Sequence, residues 1–180
     1  MIYELCRIEQ CHAELGRYSF AAQDAYTDVS LVENIINRKA PESPVRDMAS
    51  GVGQRIIDFY KLWIEKYCDN SDKPETYGQT VTADVDVLLA IMERVNLGKQ
   101  VAESKFVELT DDFKATGGDR EGMLKLIVRK DREQKVIDLS RNLATHYELT
   151  ESAAVDVFEF MISVTVDIEV DYLRMRIDEA

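Results

Sequence analysis

Arg141, Asn142 and His146 are the residues of this 180-residue chain whose types and spacing point most directly to chemistry. A histidine exchanges protons near neutral pH and serves as acid or base. An arginine presents a permanently charged planar fork suited to a phosphate and to charge developing on it. Asn142 adds a polar group able to position either partner. On one continuous helix, positions 141 and 146 lie about 140° apart, so a single helix does not bring the pair together. A plainer reading stands beside this one. His146 falls near the stripe of Leu139 and Leu143, where a histidine belongs to a core. The same spacing recurs at Arg7 and His12, but apolar Ile8 follows the arginine, and that copy reads as coincidence.

Other groupings carry less. Cys6, Cys11, His12 and Cys68 can be drawn as a zinc set, yet five-residue spacing on a helix is not ligand spacing, and buried thiols are the expectation. Gly51-Val52-Gly53 lacks the lysine of a phosphate loop and reads as a close packing point. Asp84, Asp86, Asp111 and Asp112 read as solvated faces. No metal and no cofactor is expected.

The elements that must position these residues are helical by pattern. Ile2, Leu5, Ile8, His12 and Leu15 recur at three- and four-residue spacing, and Asp28 is placed to cap a helix carrying Val29, Val32, Ile35 and Ile36, giving N-terminal helices over 2–39. After the break A-P-E-S-P, Ser43 and Pro44 supply a capping hydroxyl and a first-turn proline for a helix over 44–68. A polar loop follows over 69–80. Helices then fill 82–147: one from Thr82 ending near Gly98, one stopped by Gly117-Gly118, one from Asp119, and one opened by a capping box of Asp131 and Gln134. The last of these carries Val136, Leu139 and Leu143 inward. Thr150 caps a final helix over 151–177. Within it, residues 160–172 also alternate apolar and other residues at the strand period, so a strand there stays open. The sum is one all-α domain, 1–180, a bundle of six to eight helices.

Composition narrows the class further. A hydrophobic content of 46% is that of a globular protein. The net charge of −12 argues against broad electrostatic attachment to nucleic acid or anionic lipid. Residues 119–147 carry a small positive balance and residues 148–180 a strongly negative one, so the locally basic stretch leads into Arg141. No run of about 18 apolar residues occurs, and the N-terminus is charged where a leader would be apolar. With three cysteines and no leader, a reducing, cytoplasmic setting is expected.

Arg141-Asn142-Leu143-Ala144-Thr145-His146, followed by T-E-S-A-A-V-D-V-F-E-F, resembles the arginine–polar–spacer–histidine signature of the HEPN superfamily and the capped helix after it. The resemblance covers roughly residues 131–178. It implies an all-helical domain that binds RNA or cleaves it without metal, as in toxin and antiphage systems. Arg141, Asn142 and His146 would be the catalytic set, pooled across a homodimer. Tyr147 departs from the pattern, since members place their tyrosine two residues after the histidine. The alternative is a non-enzymatic acidic helical module, an inhibitor, immunity protein or subunit, that docks a basic protein partner.

Overall fold

The computed structural model describes residues 1–36, 43–69 and 73–179. Seven α-helices run through them: α1 (Ile2–Glu14), α2 (Gly53–Tyr67), α3 (Tyr77–Glu108), α4 (Thr110–Ala115), α5 (Arg120–Ile127), α6 (Lys130–His146) and α7 (Glu151–Asp178). Single 3-10 turns lie at Arg17–Ser19 and Pro74–Thr76. No strand occurs among the described residues, and none of their helices is long and apolar enough to cross a membrane. The all-α expectation holds, and the open question over 160–172 is settled as helix. Val164, Ile168 and Val170 are β-branched, but all three are buried, and burial outweighs their small helix penalty. The chain divides into two compact units, residues 1–96 and residues 97 onward.

In the first unit, Leu5, Ala13, Ile56, Ile57, Tyr60, Val85, Leu88 and Met92 are buried. Among them sits the fully buried carboxylate of Glu9. It accepts from the Tyr26 and Thr27 backbone N–H groups at 2.8 and 2.9 Å and from the Thr27 hydroxyl at 2.7 Å. A buried charge of this kind is tolerated because donors replace its water. The helix expected from Asp28 does not form. The Asp28 side chain instead accepts from Ser30 N–H, and the Ile35 and Ile36 N–H groups return to the Glu14 carbonyl at the end of α1. Such local side-chain bonds compete with helix. The helix placed over 44–68 starts only at Gly53. Asp24 takes the Ser50 N–H, and Gly51 adopts a left-handed φ of 66°. Gly53 does mark a close approach, since a Cβ there would stand 3.3 Å from the Tyr26 ring. The expected A-P-E-S-P break lies partly outside the described residues, as does part of the 69–80 loop. The end of that loop is helical instead: Pro74–Thr76 forms a 3-10 turn, α3 starts at Tyr77, and Thr82, expected as its cap, lies inside it and donates to the Gly78 carbonyl.

In the second unit, α4, α5 and α6 pack on α7, and the C-terminal part of α3 runs beside α7 in the same direction. Gly98 does not end a helix as its type suggested. It lies inside α3, where a Cβ would meet Thr165 Cγ2 at 3.1 Å and the Thr165 carbonyl oxygen at 3.2 Å. The buried face of α6 is Ile137, Ser140 and Ala144, leaving Leu139 52% exposed. The apolar stripe read from sequence is thus turned outward, because small side chains let α6 approach α7 closely. Asp119 caps α5 by accepting from Gly122 N–H at 2.7 Å. The capping box at Asp131 is not formed, since α6 starts at Lys130 and Gln134 donates to Asp138. Glu148, at φ 54°, closes α6 as its N–H and that of Leu149 return to the Thr145 and Ala144 carbonyls.

Two outcomes follow for stability. Gly98→Ala gains about 1 kcal/mol of helix propensity but overpacks a backbone contact at a cost of about 1–3 kcal/mol. A lowered melting temperature with the helical spectrum retained is expected, and an unchanged or raised one would refute the close approach. His12 is held below its ordinary 6.5, chiefly by burial and then by nearby Arg17. The unfolded chain therefore takes up this proton first as pH falls. Stability should decline on acidification through about pH 6.5, and His12→Gln should flatten that part of the urea-midpoint profile.

Candidate active site

The fold does not gather the residues singled out from sequence into one site. The Arg141 guanidinium bonds Asp138 at 2.9 Å and Glu151 at 3.0 Å, fastening the end of α6 to the start of α7. His146 is exposed, and its ring meets Tyr147 edge-on at 4.8 Å. It is therefore no core histidine. Asn142 is exposed on the same helix. The thiols expected to be buried are not, with Cys11 and Cys68 exposed and Cys6 half-buried. Among the described residues no three histidine, cysteine or acidic side chains stand close enough to hold a metal ion. Asp84 accepts from the Tyr60 hydroxyl at 2.9 Å, a structural tie.

The charged groups that the fold does bring together lie between α3 and α7. The Lys105 ammonium donates to Glu169 Oε2 at 2.8 Å and to the Ile127 carbonyl, at the end of α5, at 3.2 Å. Their side chains are 26% and 9% exposed. Farther along, Glu103 accepts from the Tyr172 hydroxyl at 2.7 Å and from Arg176 Nε at 2.8 Å, and the Arg176 guanidinium covers the Phe106 ring. Arg176 is thereby held above its ordinary pKa, first by the Glu103 hydrogen bond. Breaking a buried pair of this kind by removing one member costs about 3–5 kcal/mol, because the other charge is left uncompensated. Along α3, Arg94, Gly98, Val101 and Lys105 follow at three- and four-residue spacing and share one stripe.

A cleft of about 550 Å³ opens between α5, α6 and α7. Its floor is Leu124, Val128, Ile137, Ile162 and Val166, and Arg120, Lys130, Glu133, Glu159 and Asp167 supply its charges. Ile162, Val166 and Glu169 follow at helical spacing on α7, so Glu169 continues the stripe that forms the floor. Ile127, which receives Lys105, directly precedes the lining residue Val128. The cleft is of a size suited to a small organic molecule, and the Lys105–Glu169 pair, which is not part of its lining, adjoins it through Ile127. A second cavity, about 430 Å³ in the first unit, carries Asp24 and Asp28 and no lysine or arginine among its described lining residues.

Sequence reading missed Lys105 and Glu169 because they belong to no short motif. A signal was present. Lys99, Glu103 and Glu169 fall at positions that helical periodicity assigns to the interior, and charges there are rarely buried without a purpose.

Comparisons with known proteins identify the family. The family described as chorismate mutase type II matches residues 76–170, more than half of the chain. The chorismate mutase of Schizosaccharomyces pombe is 25% identical over 191 residues, covering 97% of this chain and 76% of that protein. That of Emericella nidulans is 33% identical over 124 residues, 61% of this chain and 46% of that protein. The chorismate mutase of Candida albicans, solved in complex with L-Trp, superposes with a TM-score of 0.87 at 23% identity, over 98% of this chain and 73% of that one. These matches overturn the HEPN resemblance and with it the readings as a ribonuclease, an RNA-binding domain or a non-enzymatic acidic module. A six-residue spacing selected the wrong family. From residue 76 through the Lys105–Glu169 pair to residue 170, the chain belongs to the chorismate mutase type II family.

Proposed function

We propose that the protein is an isomerase that converts chorismate to prephenate, with Lys105 at the reacting centre. Chorismate is a dicarboxylate in which a three-carbon enol ether is joined to a ring. The rearrangement breaks the ether C–O bond and forms a C–C bond within the same molecule, so no group is lost and no electron donor is needed. Electron density moves onto the ether oxygen as the bond opens. A preorganised donor aimed at that oxygen in a dry site lowers the barrier more than any other single device. An ammonium has three donors. Glu169 and Ile127 engage two in the unliganded protein, leaving a third for the ether oxygen, while Glu169 fixes the ammonium's position. The apolar floor holds the ring in the folded shape that brings the two carbon ends together.

The observation that carries this reading is the Lys105–Glu169 pair held between α3 and α7, inside the stretch that matches the family. The direct test is loss of chorismate absorbance with purified protein. Lys105→Ala should lower kcat by about 10²–10³, the usual loss for one charge-stabilising donor. Arg141→Ala and His146→Ala should leave turnover unchanged. A wild-type protein that does not consume chorismate, or a Lys105→Ala variant as fast as wild type, would end the proposal. Self-association is proposed as well, resting on the exposed Leu139 and Leu143 one turn apart on α6. Sedimentation of wild type against Leu139→Lys reads it, and a wild-type monomer at all concentrations rules it out.

A further inference from the structure

Glu103 sits just before Lys105 on α3, on a neighbouring face, and Tyr172 and Arg176 follow Glu169 on α7 by one and two turns. The helices that carry the Lys105–Glu169 pair are thus joined by a further polar group. Glu103 Oε2 accepts from the Tyr172 hydroxyl at 2.7 Å and from Arg176 Nε at 2.8 Å, and Oε1 accepts from Arg176 Nη2 at 3.3 Å. The two donor residues are one turn apart, so a single carboxylate grips a full turn of α7. The guanidinium also lies on the ring of Phe106, the neighbour of Lys105, and Phe106 stacks on Phe113. Glu103 and Tyr172 are buried, and the Arg176 side chain is 14% exposed.

Stability alone is a poor reason for such a group, since apolar side chains of similar volume often match or better a buried ion pair. What apolar contact does not supply is register. It is non-directional, and buried apolar residues such as Val164 and Ile168 recur on α7 at helical spacing. A slide of one turn, about 5.4 Å, then exchanges one apolar neighbour for another. The grip on Glu103 does not survive that slide, because one turn earlier on α7 the carboxylate would meet Ile168 in place of a donor. A polar residue fixes register in this way in coiled coils. The Lys105 ammonium needs a fixed register, because its two acceptors, Glu169 Oε2 and the Ile127 carbonyl, belong to different helices. We infer that Glu103, Tyr172 and Arg176 form a register lock: they are positioning residues that hold α3 against α7 so that Lys105 Nζ meets both acceptors. They act through Lys105, whose part in the reaction rests on the mutase reading above.

A lock and a mere brace differ in what an apolar replacement does. Glu103→Leu, Tyr172→Phe and Arg176→Met together remove the group without leaving one member of the buried pair behind. If the group only braces the fold, the folded triple variant turns over at the wild-type kcat. If it is a lock, the triple variant keeps the helical spectrum while kcat falls by about tenfold to a hundredfold, the scale that a misplacement of about 1 Å brings. That loss falls on kcat and kcat/KM alike, as for an interaction made in the transition state. It also disappears in the Lys105→Ala background, because misplacing a donor that is already absent costs nothing more.

The experiment compares chorismate turnover by wild type, the triple variant, Lys105→Ala and the two combined, with nitrogen NMR of the lysine ammonium groups. The signal of the held Lys105 ammonium is identified by its loss in Lys105→Ala. A lowered kcat in the triple variant, no further loss on the Lys105→Ala background, and a shifted or missing ammonium signal support the lock. An unmoved signal with unchanged kcat, or an equal further loss without Lys105, overturns it. If wild type does not consume chorismate but the triple variant loses the signal, the mutase reading falls and the lock stands. If turnover is present and neither kcat nor the signal moves, only the lock falls. Should the triple variant not fold, Tyr172→Phe with Arg176→Lys keeps the ion pair, removes the grip on a full turn, and is read in the same way.

Discussion

The second unit depends on carboxylates and cations held together between α3 and α7 where little water reaches them. Glu103 and Glu169 are both buried, and each is met by a cation from the facing helix or its own unit: Arg176 for Glu103, Lys105 for Glu169. Placing such charges out of water is unfavourable for each alone, and the pairing offsets that only when geometry and further hydrogen bonds are good. The Tyr172 hydroxyl and the Ile127 carbonyl provide those further bonds. Gly98 makes the arrangement possible, because the absence of a side chain lets the α3 backbone meet Thr165 directly. Side chains facing each other over a short distance can then be ordered tightly, which is what a preorganised donor requires.

The first unit solves a related problem with backbone. Glu9 is fully buried, and its shortest hydrogen bonds come from Tyr26 and Thr27, in a segment with no regular structure. The carboxylate thus organises an irregular stretch as a cap organises a helix end. Burial and the neighbouring Glu9 both push the Tyr26 phenol well above its ordinary range, so it stays protonated and donates to the Leu88 carbonyl. The two tyrosines around Glu9, Tyr18 and Tyr26, are raised for the same reasons.

Surface chemistry explains how the sequence misdirected the functional reading. Arg141 and His146 have the residue types of a reactive pair, but about 140° of helix separates them. Arg141 spends its charge on Asp138 and Glu151, an ordinary tie between a helix end and the next helix start. Short motifs with loose spacing occur by chance in any chain rich in charged helices, and Arg7 with His12 was a visible instance.

What the sequence by itself determined was the class of structure and several of its boundaries. The three-and-four periodicity, few prolines, Asp119 as cap of α5 and Thr150 at the start of α7 were legible because they are local. Where local signals conflicted, packing decided. The β-branched run of 164–170 became helix because its side chains are buried, and α6 turned Leu139 and Leu143 outward because Ser140 and Ala144 allow a closer approach. Segment 28–36 lost its helix to hydrogen bonds with the end of α1. The site was beyond sequence reading for the same reason. Lys105 and Glu169 are 64 residues apart, and only the parallel packing of α3 and α7 makes them one group, since the force that joins them acts through space and leaves no mark on neighbouring positions in the chain.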